Sequence, residues 1–151
     1  MIKNIFDEQV SEQIIGRVDA LTTESQAKWG KMDVAQMLAH CNVTYEMAYE
    51  DIHPKPGAFK RFMLKMFVKP IVTNDKPYKK NGRTAPEFII ADTKDFDREK
   101  KRLTDYIRKT QQLGPAYFEG KESHSFGPLH TKEWNNMFYK HLDHHLSQFG
   151  V

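Results

Sequence analysis

A chain of 151 residues, 39% hydrophobic and 28% charged, is the size of one domain and can bury a core without disulfides. Its single cysteine, Cys41, excludes an internal bridge and fits a reducing compartment. No run approaches the roughly 20 apolar residues of a membrane span, and the opening MIKNIFDEQVSEQ turns polar too early for a signal peptide, so one cytoplasmic domain over residues 1–151 is expected.

The first helix is predicted from about Asp7 to Leu21, where Phe6, Val10, Ile14, Val18 and Leu21 recur at helical spacing. Thr22, Thr23 and Ser25 end it. The second follows WGKMDVAQMLAHCNVTYEMAYE. Asp33 is a good N-cap and Gln36 stands where a capping box needs it. Val34, Leu38, Cys41, Tyr45 and Tyr49 form one stripe; Met37, His40, Thr44 and Met47 form a second, more polar one. A helix apolar on two sides belongs inside a bundle. The prolines of DIHPKPG stop it.

A long basic connection comes next. Between Lys60 and Arg83 stand eight basic residues against one acid, Asp75. That segment therefore carries +7, which leaves −4 for the rest of a chain whose net charge is +3. Within it, GAFKRFMLKMFVKP reads as a short amphipathic helix with Phe59, Phe62, Met63, Met66 and Phe67 on one face. That stripe is expected to pack on the bundle rather than lie on a membrane. VTNDKPYKKNGRTAPEF reads as loop.

The third long helix starts near ADTKDFDREKK, with Asp92 or Thr93 as cap. Phe96, Leu103 and Ile107 line its inner seam, and Gly114-Pro115 stops it. GKESHSFGPLH is a second loop, and Thr131 caps a last helix, KEWNNMFYKHLDHHLSQF. With no strand pattern, these elements predict an all-α fold, a four-helix bundle.

The last helix holds the main chemical signal. Advancing about 100° per residue from Trp134, Phe138 falls near 40°, His141 near −20°, His145 near 20° and Phe149 near 60°. Two imidazoles four residues apart thus occupy the centre of the inward stripe and can share one ion. A buried imidazole without partners loses the hydrogen bonds of water, and a metal satisfies one nitrogen of each ring. The other nitrogens need acceptors, such as backbone carbonyls or Gln148. His144, near −80°, lies at the stripe's edge and Asp143 points away. No Glu follows His141 where a zinc protease requires one. A catalytic site commonly has three protein ligands, and His40, His53, His124 and His130 are the candidates for the third. Periodicity does not choose among them.

KMDVAQMLAHC and HSFGPLHTKEWNNMFYKHLDHHLSQFG together resemble the DinB-like (DinB/YfiT-like) superfamily of metalloenzymes, and within it a bacterial branch of unknown function. The resemblance covers nearly the whole chain and is most specific from His124 onward and around His40. It implies a four-helix bundle with a divalent metal on one histidine of the second helix and a His-x-x-x-His pair of the fourth, here His40, His141 and His145. It also implies zinc or nickel, a low-molecular-weight thiol and S-transfer to a small electrophile, as in the thiol-dependent transferases and isomerase of that superfamily. Metal-assisted hydrolysis is the alternative reaction. Tyr45, Glu46 and His144 are the candidate catalytic groups; Tyr49 is an alternative to Tyr45, and His124 a residue at the mouth of the site. A small-molecule substrate is the expected partner, and a homodimer is open. A non-enzymatic anion- or nucleic-acid-binding module around a structural metal is a further alternative from the basic segment. It lacks a helix-turn-helix or an interleaved aromatic pattern, so nucleic acid is not expected, and neither is a membrane.

Overall fold

A computed structural model describes residues 1–151. Four longer helices pack on one another: α1 (Glu8–Asp19), α2 (Val34–Tyr49), α5 (Phe96–Phe118) and α6 (Thr131–Gln148). Between α2 and α5 lie α3 (Ala58–Phe67), α4 (Lys69–Thr73) and a single 3-10 turn, Pro86–Phe88. A small antiparallel hairpin, β1 (Lys121–Ser123) and β2 (Gly127–Leu129), precedes α6. The chain is therefore mainly helical, as its periodicity predicts, with one two-stranded sheet that the sequence does not announce. Strands of three residues are too short to display alternation. The hairpin is closed by Ser123, whose hydroxyl donates to the Gly127 carbonyl and accepts from the Phe126 amide.

The capping box of α2 forms as expected: Asp33 accepts from the Gln36 amide, and the Gln36 side chain accepts from the Asp33 amide. Three boundaries shift. His130, not Thr131, is the N-cap of α6, and the other two concern α5. Asp95, not Asp92 or Thr93, caps α5 through the Arg98 amide. Gly114, at φ 72°, breaks α5, but one more helical turn follows through Pro115 to Phe118. The missing amide of Pro115 is harmless at the start of that turn.

One core joins the long helices. Ile14, Ile15 and Val18 of α1 meet Leu38 and Cys41 of α2, Leu103 and Ile107 of α5, and Leu142 and Leu146 of α6. A column of stacked rings crosses it, Tyr106 on Tyr45 on Phe138 on Trp134, with centroids 5.5, 4.9 and 5.4 Å apart. Since Tyr45 meets Phe138 while Thr44 meets His141 and His40 meets His145, α2 and α6 run antiparallel.

The expectation for α3 is overturned. Its stripe of Phe59, Phe62, Met63, Met66 and Phe67 faces outward, and no residue of α3 is buried. The reason lies in how α4 docks. Lys140 of α6 donates to the carbonyls of Ile71 and Asn74 and to Asn74 Oδ1 at 2.8–2.9 Å, satisfying the end of α4. Asn136 donates to the Thr73 carbonyl, and Lys69 pairs with Glu133. Leu64, Val68 and Val72 then turn toward the core, which points the other side of α3 to solvent.

Candidate metal centre

His40 on α2 faces His141 and His145 on α6, and their nearest ring nitrogens all lie within 4.8 Å of one another. His141 Nε2 and His40 Nε2 are 2.9 Å apart, and the His40 and His145 ring centroids 4.5 Å. Zinc–imidazole bonds of about 2.0–2.1 Å put paired nitrogens roughly 3–4 Å apart, a range this trio brackets. His40 and His145 are buried and His141 is partly buried.

Each outer nitrogen has its own partner. His40 Nδ1 is 2.8 Å from the Phe88 carbonyl, which can only accept, so Nδ1 carries the proton and Nε2 the lone pair. The Gln148 amide donates to the Trp29 carbonyl at 2.6 Å, which turns Oε1 toward His145 Nδ1 at 2.8 Å. His145 must then donate from Nδ1, leaving its Nε2 lone pair inward. His141 Nδ1 is 3.0 Å from Thr44 Oγ1. With Thr44 accepting, all three rings present lone pairs to one point. This outer ring of acceptors is the arrangement that orients imidazoles on metals.

Burial drives the rings toward neutrality. It lowers His145 to about 3 and holds His141 well below the ordinary value near 6.5. The neighbouring imidazoles push both further down. His40 is lowered too, although the Phe88 carbonyl partly opposes its burial. Neutral imidazole is the form that binds metal.

The other candidates go elsewhere. His53 accompanies Glu46 at 2.7 Å, His124 meets Ser125 and the His53 carbonyl, and His130 pairs with Glu119. His144 does sit at the cluster, half-buried, with its ring against His145, Trp29 and Tyr78 at 5.0, 5.7 and 5.7 Å. Tyr45 and Glu46 do not. Tyr45 lies inside the aromatic column with its hydroxyl buried and unpartnered. Glu46 is buried and held by Arg102 at 2.5 Å and by His53. Arg102 also grips Glu99, which accepts from Asn42. Asp143 is likewise not free: Arg17 pairs with it at 2.7 Å.

Sequence reasoning missed four contributors: Thr44, the Phe88 carbonyl, Trp29 and Gly30. Thr44 shares the polar stripe of His40, one turn on, and that was its only signal. Phe88 also stands edge-on to His40 and His141, at 5.4 and 5.8 Å, and shields that side of the cluster from water. Gly30 has φ +86°, and a β-carbon there would lie 2.5 Å from Gln148 Nε2.

The fold and site thus define a mainly helical protein with a buried three-histidine cluster fit to hold a metal ion. Residues 7–150 match the family described as "Protein of unknown function (DUF1569)", and the chain belongs to that family. No curated protein and no solved structure matches it.

Proposed function

We propose that this is a four-helix-bundle metalloenzyme of the DinB-like kind, in which His40, His141 and His145 hold one divalent cation, zinc or nickel. Its reaction is transfer from a low-molecular-weight thiol to a small electrophile. The observation that carries the reading is the orientation of the rings: outer nitrogens engaged by Phe88, Thr44 and Gln148, inner nitrogens converging. A cation held by His40, His141 and His145 would supply Lewis acidity, favouring ionisation of a thiol or water at neutral pH.

The chain's own residues do the rest. Three neutral imidazoles leave the charge of a bound cation uncompensated. The Phe88 ring excludes water from one side. His144 takes the proton released at the site in this reading, which is supported by its ring abutting His145 and by its nitrogens having no protein partner. Burial, reinforced by Lys80, outweighs nearby Asp143 and holds His144 below its ordinary value, so it is neutral and able to accept near pH 7. Tyr45 and Glu46 act in this reading as positioning groups for α2.

The test uses the cobalt(II)-substituted protein, whose visible spectrum reports changes among the ligands. Low-molecular-weight thiols are expected to shift it, and His144→Ala to slow thiol consumption by an electrophile at unchanged metal content. A spectrum that no thiol alters removes the transferase and leaves metal-assisted hydrolysis as the reaction to assay.

A further inference from the structure

α3 and α4 hold to the rest of the molecule by one side only. Leu64, Val68 and Val72 turn inward, and Lys140 and Asn136 fasten the end of α4. On the free side Phe59 is 78% exposed, Phe62, Met66, Phe67 and Ile71 are each more than half exposed, and Met63 joins them at 38%. Isolated exposed apolar side chains are ordinary, but a contiguous set on one short helix marks an interaction surface.

The borders of this face carry charge. With Phe59 at zero, the apolar arc runs from Phe62 near −60° to Phe67 near +80°, flanked by Lys60 near +100° and Lys65 near −120°. Lysines at the edges of an apolar arc let their stems follow the apolar surface while the ammonium groups reach headgroup phosphates. From Ala58 to Thr73 there are four basic residues and no acid. Lys60 and Arg61 pair with Glu87 and Glu122 on the surface, and such exposed pairs are weak enough to exchange for phosphate. Lys65 has no carboxylate partner. A second copy presenting the same face would bring like charges together, whereas an anionic surface is attracted. The face is also made of flexible Met and flat Phe side chains, suited to a fluid interface. α3 has ten residues, and no helix is long and apolar enough to cross a membrane.

We propose that the α3–α4 ridge seats this protein reversibly on an anionic phospholipid surface. Its six apolar side chains enter the boundary between headgroups and acyl chains, and Lys60 and Lys65 meet lipid phosphates. The proposal is independent of the metal reading.

The experiment is co-sedimentation of the full chain with vesicles of phosphatidylcholine alone and of phosphatidylcholine mixed with phosphatidylglycerol, at low and high salt. The mixed vesicles are expected to carry the protein down at low salt and release it at high salt, with neutral vesicles binding little. Combining Phe59→Ser with Met66→Ser should weaken binding by about tenfold or more. The melting temperature and metal content should not change, because both side chains are exposed and lie away from the histidines. Failure to bind anionic vesicles at low salt overturns the proposal, as does equal binding to neutral ones. A dimer in sedimentation velocity that the same substitutions dissolve also overturns it, by assigning the ridge to a second copy.

Discussion

His145 and Gln148, one turn apart on α6, are joined by a 2.8 Å hydrogen bond whose direction is set from outside the helix. The Trp29 carbonyl accepts from the Gln148 amide, so the oxygen of that amide must face the imidazole. A segment before α2 thereby decides which nitrogen of His145 is free. Gln148→Leu removes the acceptor while keeping the volume. Metal affinity should fall by about 10–100-fold, the usual loss when a ligand's supporting hydrogen bond is cut. Competition titration against a chelator measures it.

Gly30 is needed for the same contact. At φ +86° any other residue is strained, and the added β-carbon displaces Gln148 Nε2. Gly30→Ala should cost about 1–2 kcal/mol in stability and weaken metal binding in the same direction as Gln148→Leu. Denaturant unfolding of the metal-free protein separates the two effects.

Arg102 bridges Glu46 and Glu99, both buried. Arg102→Ala leaves two carboxylates out of water without their partner, and removing one side of such a network costs on the order of 3 kcal/mol. The variant that folds should still bind metal, since none of these groups pairs with His40, His141 or His145. Urea midpoints with metal content on the folded fraction check both halves.

Acid should loosen the metal-free protein earlier than carboxylate titration alone would. Burial holds His145 at about 3 and lowers His40 and His141, against about 6.5 in the unfolded chain. Between those values the unfolded state binds more protons, so stability is complete above about pH 6.5 and falls as pH drops toward 3. Thermal melts of chelator-treated protein from pH 8 to 5 should show a positive slope below pH 6.5. The slope should shrink in His145→Gln, which has nothing to protonate there.

The sequence carried the α6 half of the site well. Trp134, Phe138, His141 and His145 advance along one stripe, and only the inward side of α6 is apolar. The α2 half was not legible from periodicity. From Met37 to Glu46 every residue of α2 is buried, so no stripe distinguishes the face that meets α6, and His40 entered through family resemblance. The Phe88 carbonyl leaves no side-chain signal at all. For α3 the periodicity locates the apolar side but not its partner: a hydrophobic stripe says that a helix has an apolar side, not what covers it.

Metal content tests the central claim most directly. Protein expressed without a histidine tag, analysed by elemental mass spectrometry, should carry about one divalent ion per chain. His40→Ala, His141→Ala and His145→Ala should each lose it while remaining folded by circular dichroism. Wild-type protein that takes up no zinc, nickel or cobalt, or a variant lacking all three imidazoles that binds as much as wild type, would contradict the account.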